Sequence, residues 1–236
     1  EFGFLDKNKM RADFLEYFRK KMHSKDHKWK VVYNHFYNFV NGKCSFGDVT
    51  VDLCKKFREY LLSAKQLKHS KHPVSQNSAS AYYSTFRGLL KIAYIEKMFK
   101  ENLNDYLEKI DCQDTKREYL TLDEVKRLAA TPCKIPVLKA ASLFSCLTGL
   151  RISDILNLQW SDFGLAPDRG YCIRIRTQKT KTEATLPISY EAYELCGEVG
   201  TGKVFKGLTR SMINYPLKHW LAEAGIEKHV TFHCLR

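Results

Sequence analysis

The second half of the chain carries side chains that could bind a phosphate group or move a proton beside it. Arg151 ends a Thr-Gly-Leu-Arg segment, and Lys179 and Lys181 follow in a polar segment. His233 and Arg236 belong to a His-Cys-Leu-Arg segment. A guanidinium group binds phosphate oxygens through two parallel hydrogen bonds, while histidine and lysine exchange protons. No Asp-x-Asp cluster or other carboxylate group accompanies them, so neither magnesium nor another cofactor is expected.

Each of these residues also has an ordinary structural interpretation. Arg151 could be a surface arginine, because a glycine after a helix is often followed by an exposed arginine. Lys179 and Lys181 could simply keep a hairpin soluble, and His233 could be a core histidine bonded to a carbonyl group. Only their joint occurrence, in this order, favours a catalytic interpretation.

The helices around Arg151 are predicted from local signals. Thr121 and Glu124 form a capping box, which predicts a helix that begins there. Residues 136–148 are apolar almost all round, as in a central core helix, and Gly149 ends this helix. Ser153 is predicted to cap a second, shorter helix.

The hairpin that carries the two lysines is predicted from alternation. Residues 171–176 alternate between two sets of side chains, Tyr-Ile-Ile and Cys-Arg-Arg, which indicates a half-buried strand. Residues 184–188 form the return strand. Helices are predicted to resume at Ser189 and at Thr209.

The first half is predicted to be all helical. Apolar residues recur there at three- and four-residue steps, which places them on one face of each helix. A polar segment without periodicity, residues 113–118, is the natural linker between a helical domain over residues 1–112 and a second domain over residues 119–236. The protein is therefore predicted to be mainly α, with a small antiparallel sheet in the second domain. The helices of the first domain are predicted over residues 10–22, 29–40, 51–62, 76–97 and 101–110.

The charge balance indicates a polyanionic partner. Lys and Arg number 39 against 26 Asp and Glu, a net charge of +13, and nucleic acid is the commonest partner of so basic a protein. No acidic residue lies between Glu59 and Glu96. The polar face of the helix over residues 76–97 suits a DNA groove or backbone, and an ordinary solvated face is the alternative. The predicted DNA-binding residues are Lys65, Lys68, Lys71, Asn77, Ser80, Ser84, Arg87 and Lys91.

The cysteines and histidines predict neither a disulfide framework nor a metal site. The eight cysteines include no Cys-x-x-Cys pair, and several lie in apolar runs, where a reduced cysteine acts as a small hydrophobic side chain. Two close histidine pairs lie among lysines without a third ligand nearby. No apolar run approaches the roughly 18–20 residues of a membrane span, and no signal-peptide core is present. We therefore expect a cytoplasmic protein without membrane contact.

Taken together, an arginine, a hairpin lysine and His-x-x-Arg closely resemble the catalytic pattern of the tyrosine recombinases, or phage-type integrases. The first half also resembles that family's helical core-binding domain, so the resemblance covers essentially the whole chain. The segments around Arg151 and over residues 54–61 resemble the integrases of mobile elements in particular. The resemblance implies a SAM-like helical domain followed by an α+β catalytic domain. It also implies an enzyme that integrates or excises DNA through a 3′-phosphotyrosyl link.

The resemblance also implies a role for each residue. In this family two arginines bind the non-bridging oxygens of the attacked phosphate, which implies that role for Arg151 and Arg236. The hairpin lysine protonates the 5′-hydroxyl leaving group, and Lys179 aligns best, with the lysine two residues later as second candidate. His233 matches the histidine that assists proton transfer to or from the nucleophile. Asp154, one helical turn after Arg151, could orient its guanidinium group.

Two residues of the family pattern are expected beyond Arg236: a second histidine or tryptophan, and the nucleophilic tyrosine. None of the thirteen tyrosines follows Arg236, so the chain itself is expected not to cut DNA. The complete enzyme is expected to bind double-stranded DNA and to act as a tetramer on it. The alternatives are a type IB topoisomerase-like enzyme and a non-catalytic DNA-binding protein that retains the recombinase fold.

Overall fold

The computed structural model describes residues 8–68, 71–115, 118–167, 169–176 and 182–236. The chain divides into two compact units, Glu1–Thr115 and Lys116–Arg236, and each has a hydrophobic core of its own. Both units are mainly helical, and the second contains a small three-stranded antiparallel sheet, which confirms the predicted fold class. No helix in the described ranges is long and apolar enough to cross a membrane.

Within the described ranges, four helices of the first unit each begin at a side chain that caps the helix. The caps are Asp13, Asp26, Thr50 and Ser75, which accept hydrogen bonds from backbone N–H groups of the first turn and so satisfy donors that have no intrahelical partner. The helices are α1 (Phe14–Met22), α2 (His27–Phe39), α3 (Val51–Ser63) and α4 (Gln76–Ile95), with short 3₁₀ helices at Phe46–Asp48 and Leu103–Tyr106.

One phenylalanine from each helix meets at the centre of the first unit. Phe14, Phe36, Phe57 and Phe86 are all completely buried. The ring centroids of Phe57 and Phe86 lie 4.9 Å apart, and those of Phe36 and Phe57 lie 5.0 Å apart at 90°. Edge-to-face pairs of this kind contribute roughly 0.5–1.5 kcal/mol beyond the burial of their area. The four helices are therefore held by a shared aromatic core.

The prediction of a helix over residues 101–110 is wrong for most of that segment. Helical structure is limited to Leu103–Tyr106, and the chain from Leu107 to Thr115 follows no helix or strand. Leu103, Leu107 and Ile110 are buried, and their spacing of four and three residues is why the sequence indicated a helix. Side chains of α4 bond this segment instead, including the Ser80 hydroxyl, which donates to the Ile110 carbonyl at 2.7 Å.

The second unit is built around one apolar helix. Its helices are α5 (Leu122–Ala130), α6 (Pro136–Thr148), α7 (Ile152–Ile155), α8 (Tyr190–Glu194) and α9 (Tyr215–Glu223), with 3₁₀ helices at Trp160–Asp162 and Phe232–Leu235. The capping box of Thr121 and Glu124 is confirmed at the start of α5. Helix α6 contacts α5, α7, α8 and the 3₁₀ helix Phe232–Leu235, as expected of a central helix.

Two predicted helix starts in this unit are wrong. Helix α7 begins directly after Arg151, which is its N-cap residue, rather than after Ser153. Residues 209–214 form turns, and α9 begins only at Tyr215, with Pro216 in its first turn. A proline fits the first turn of a helix because the N–H group that it lacks has no intrahelical partner there.

The three strands are β1 (Phe163–Leu165), β2 (Tyr171–Arg176) and β3 (Glu183–Pro187), in the order β1-β2-β3. The hairpin register pairs Arg176 with Glu183. Lys179 and Lys181 lie outside the described residues. The short strand β1 was not predicted, since three residues carry too little alternation to indicate a strand.

Candidate active site

Arg151 lies in a tightly bonded connection between α6 and α7. Gly149 takes a φ of 68°, the left-handed conformation that ends a helix and strains residues with a Cβ atom. The buried Ser145 hydroxyl donates to the Leu150 carbonyl at 3.0 Å. The Asp154 N–H group donates to the Arg151 carbonyl at 2.8 Å. The backbone on both sides of Arg151 is therefore fixed, which limits where its side chain can reach.

His233 and Arg236 share one face of the 3₁₀ helix Phe232–Leu235. Such a helix has three residues per turn, so side chains three positions apart lie above one another. Phe232 and Leu235 are buried and anchor the helix to the core, while His233 and Arg236, offset by one position, are exposed. The His-x-x-Arg spacing thus places both side chains on the solvent side of a buried anchor.

Arg151, His233 and Arg236 line one pocket of about 410 Å³, which we call the arginine pocket. No carboxylate is among the described residues that line it. Within the described ranges, no hydrogen bond or ion pair engages the side chains of these three residues. Positive groups that share a pocket without internal counter-charges favour an anion. The other lining residues are Ile152, Ser153, Arg210 and Phe232.

Arg210 was missed by the sequence analysis. It lies in the turns before α9 and adds a third guanidinium group to the arginine pocket. A signal was present in the sequence, because residues 199–222 contain Lys203, Lys206, Arg210 and Lys218 but no Asp or Glu. That signal indicates a cationic surface, although it does not indicate which of the four cations meets Arg151.

Asp154 lines a different pocket from Arg151. Its side chain is 5% exposed and lines a second, polar pocket of about 360 Å³ together with Asp162 and Arg176, whereas Arg151 does not line that pocket. What joins Asp154 to Arg151 is the backbone hydrogen bond at the start of α7.

In the first unit, three of the predicted DNA-binding residues on α4 have internal partners. Asn77 exchanges two hydrogen bonds with the Gln113 backbone, at 2.9 and 2.7 Å. The half-buried Arg87 donates from Nε to the Asn104 Oδ1 atom at 3.2 Å and from a terminal nitrogen to the Asn104 carbonyl at 3.3 Å. Ser80 bonds the Ile110 carbonyl, as described above. This part of the face packs on the chain's own residues 104–113.

The remaining predicted residues are exposed, namely Lys65, Lys68, Lys71, Ser84 and Lys91. The loop that carries the first three is closed at its base, where the Gln66 N–H group donates to the His72 carbonyl and the Val74 N–H group to the Ala64 carbonyl, both at 2.9 Å. Lys68 also lines a pocket of about 510 Å³ with Lys30 and Asn34 of α2, which the sequence analysis did not select. Lys30 and Asn34 lie one helical turn apart and face the same pocket.

The described residues contain no group of three or more His, Cys, Asp or Glu side chains that could hold a metal ion. The eight cysteines are free thiols. Burial raises the pKa of Cys54 and of Cys196 to about 12. These two thiols therefore stay protonated at neutral pH and pack as small apolar side chains.

The fold and the arginine pocket define a two-unit protein whose second unit presents positive side chains to an anion. The phage integrase SAM-like domain matches residues 12–111, and the phage integrase family matches residues 118–236. The chain therefore belongs to the phage integrase family, and the resemblance to tyrosine recombinases is confirmed. A search of curated proteins by sequence finds no match.

Solved structures with this fold include recombinases bound to DNA. A lambda integrase (75–356) dimer bound to a COC′ core site aligns with a TM-score of 0.68 at 17% identity, over 94% of this chain and 81% of that one. A lambda integrase tetramer bound to a Holliday junction gives 0.66 at 18%, over 94% and 66%. The Tn1549 transposon integrase (82–397) with circular intermediate DNA gives 0.64 at 15%, over 95% and 84%. At these identities the likeness shows the fold.

Proposed function

We propose that this chain is the DNA-clamping and phosphate-binding part of a site-specific recombinase, which cuts and rejoins DNA strands through a 3′-phosphotyrosyl link to integrate or excise a mobile element. The observation that carries the proposal is the arginine pocket. It joins Arg151 to His233 and Arg236 from a distant part of the sequence, and its described lining residues include no carboxylate. Membership of the phage integrase family supports the reaction class.

In the proposed reaction, Arg151 and Arg236 hold the two non-bridging oxygens of the attacked phosphate. Negative charge grows on these oxygens in the transition state, and a guanidinium group meets it with two parallel hydrogen bonds. A preorganised donor of this kind typically contributes about 2.7–4 kcal/mol to transition-state stabilisation. The bonded backbone around Arg151 supports such preorganisation.

The remaining steps are proton transfers. We assign protonation of the 5′-oxygen leaving group to Lys179, with Lys181 as second candidate, and assistance to the attacking tyrosine to His233, whose exposed ring lines the arginine pocket. For Asp154 the geometry supports an indirect role, in which its buried position and its backbone bond to Arg151 fix the start of α7. Bond energy is conserved in the phosphotyrosyl link, so this scheme uses no ATP and no metal.

We propose that exposed cations of the first unit bind the DNA backbone. These are Lys65, Lys68, Lys71 and Lys91, with Ser84 beside them and with Lys30 and Asn34 added from α2. Asn77, Ser80 and Arg87 have a structural role in this proposal, because their side chains bond residues 104–113. Assembly as a tetramer on DNA is supported by the lambda integrase tetramer on a Holliday junction.

We further propose that the chain Glu1–Arg236 binds DNA without cutting it. No tyrosine is among the residues that line the arginine pocket in the described part of the chain. In the family pattern the nucleophilic tyrosine comes after the His-x-x-Arg motif, which supports this proposal. We place the reaction in the cytoplasm, where DNA and reduced thiols occur together, and the eight free cysteines support that compartment.

The test uses a nicked duplex that carries the attachment site, on which a cut strand cannot be rejoined. The protein encoded by the complete gene should become covalently attached without added magnesium, whereas Glu1–Arg236 should bind the same duplex and form no adduct. An adduct formed by Glu1–Arg236 would contradict the proposed origin of the nucleophile. Absence of an adduct with the complete protein would contradict the recombinase assignment.

A further inference from the structure

The turns over residues 209–214 bring a guanidinium group into the arginine pocket that the proposed reaction does not use. Arg210 lines this pocket with Arg151 and Arg236, although each comes from a different element. Its side chain is exposed, and within the described ranges no hydrogen bond or ion pair engages it. Arg210 therefore has no internal partner that would explain its position.

The surroundings of Arg210 favour an anionic ligand. The stretch from residue 199 to residue 222 contains no carboxylate. Thr209 and Ser211 are exposed on either side of Arg210, and their hydroxyl oxygens lie 2.8 Å apart. A guanidinium group between two hydroxyl groups is a set of donors that proteins use on the phosphates of DNA.

The turns do not depend on the Arg210 side chain. The Met212 N–H group donates to the Thr209 carbonyl at 3.2 Å, and the Asn214 N–H group donates to the Ser211 carbonyl at 3.3 Å. These backbone hydrogen bonds close the turns, so shortening Arg210 should leave the fold intact. A structural role therefore does not account for this arginine.

We propose that Arg210 binds a second phosphate of the DNA strand, next to the phosphate that Arg151 and Arg236 hold, and so fixes which bond enters the arginine pocket. This inference rests on the proposed function. Two guanidinium groups already present four N–H donors to the two non-bridging oxygens of one phosphate, which leaves a third guanidinium group few acceptors there. The pocket volume of about 410 Å³ lies in the range of pockets that hold ligands larger than one phosphate, roughly 300–1,000 Å³.

The experiment measures equilibrium binding of Glu1–Arg236 to a short duplex over a range of salt concentrations. Each phosphate contact contributes about 0.9 to the slope of log K against log salt concentration. Arg210→Ala should lower the magnitude of the slope by about 0.9. Raising the salt concentration from about 50 to 200 mM should then reduce the affinity of the variant by a factor roughly threefold smaller than for the wild type. Arg210→Lys, which keeps the charge, should retain the slope. The melting temperature of each variant checks that the fold is intact.

A combined variant tests whether the two phosphates are distinct. Arg151→Ala and Arg236→Ala together remove the contact to their shared phosphate, and adding Arg210→Ala should lower the slope by about a further 0.9, because separate contacts add. A triple variant with the same slope as the Arg151→Ala, Arg236→Ala double variant would place Arg210 on the same phosphate and overturn the inference.

Lys218→Ala is the matched control, because Lys218 is exposed in the same acid-free stretch but does not line the arginine pocket. An unchanged slope for Arg210→Ala, or an equal fall for Lys218→Ala, overturns the inference and leaves the proposed function standing. A wild-type chain whose affinity does not respond to salt overturns both.

Discussion

The polar face of α4 and the arginine pocket have similar side chains but bond different partners. Both combine cations and small polar groups, and no carboxylate is among their described residues. On α4, Asn77, Ser80 and Arg87 bond the chain's own residues 104–113. In the arginine pocket, Arg151 and Arg236 have no partner within the described ranges. A row of cations without carboxylates therefore does not identify a DNA contact by itself, because backbone carbonyl groups of the same chain can take the place of phosphates.

The difference arises because the backbone carbonyl groups near the two sites find their hydrogen-bond partners in different ways. Residues 107–115 form neither a helix nor a strand, so their carbonyl groups need other partners, and the side chains of α4 supply them. The arginine pocket is bounded by the 3₁₀ helix Phe232–Leu235 and by α7, whose carbonyl groups accept hydrogen bonds from the N–H groups of residues 156–158. The guanidinium groups there stay free for an external anion.

The largest effect expected from this comparison concerns the free arginines. Arg151→Ala or Arg236→Ala in the complete enzyme should slow covalent attachment to the nicked duplex by roughly 10²–10³-fold, because each removes a donor from the developing charge. Replacement by Lys should restore little of the rate, since an ammonium group keeps the charge but loses the paired hydrogen bonds.

The melting temperature of both variants should stay near that of the wild type, since neither side chain has a hydrogen bond or ion pair within the described part of the chain. Lys126→Ala, an exposed cation on α5 outside the pocket, is the control and should keep both rate and stability. A large fall in the melting temperature of Arg151→Ala would show that Arg151 has a structural role, as Arg87 on α4 has, and would contradict this comparison.

The next effect is on stability. Arg87→Ala removes two hydrogen bonds to Asn104 and should lower the free energy of unfolding by about 1–3 kcal/mol. The salt dependence of DNA binding should not change. Lys91→Ala is the matched control, because Lys91 is exposed one turn further along α4 and should leave the stability unchanged. The opposite result, in which Arg87→Ala weakens DNA binding and leaves the stability unchanged, would indicate that this part of α4 contacts DNA.

A smaller effect is expected from the basic loop. Substituting Lys65, Lys68 and Lys71 together by Ala should lower the slope of log K against log salt by about 0.9 for each lysine that contacts a phosphate. The melting temperature should not change, because backbone hydrogen bonds close the base of this loop. Lys56→Ala serves as the control, since the Lys56 ammonium group is already paired with Asp52 at 2.8 Å. Equal slopes for the triple variant and the wild type would remove this loop from the interface.

The smallest effect concerns pH. The Glu96 carboxylate accepts hydrogen bonds from Lys21 and Tyr17, and these lower its pKa below the ordinary value of 4.5. Its contribution to stability is complete above pH 4.5 and is lost as the pH falls through the lower pKa of the folded state.

Glu96→Gln should therefore reduce the free energy of unfolding at pH 7 by less than about 1 kcal/mol, because the pair is exposed. The difference between variant and wild type should shrink in acid, as measured by denaturant titration at several pH values. A difference that grows as the pH falls would contradict this assignment.

The sequence by itself determined the features that depend on neighbouring residues. The capping box of Thr121 and Glu124, the end of α6 at Gly149 and the strand β2 follow from signals within a few residues, and all three are present. The spacing of His233 and Arg236 was also informative. Phe232 and Leu235 have the same three-residue spacing and are buried, so the two following side chains are exposed. The order of these motifs indicated the integrase family before any contact was known.

Only the tertiary structure decided which polar groups satisfy one another and which remain free. The spacing of Leu103, Leu107 and Ile110 fits a helix, yet hydrogen bonds from α4 hold that segment in another conformation. The same bonds use the α4 residues that the sequence assigned to DNA. Arg210 could not be selected from its acid-free stretch, because the fold alone places it beside Arg151. The physical reason is common to these cases: helix caps and periodicity act over one or two turns, whereas partners for buried or half-buried polar groups come from segments far apart in the chain.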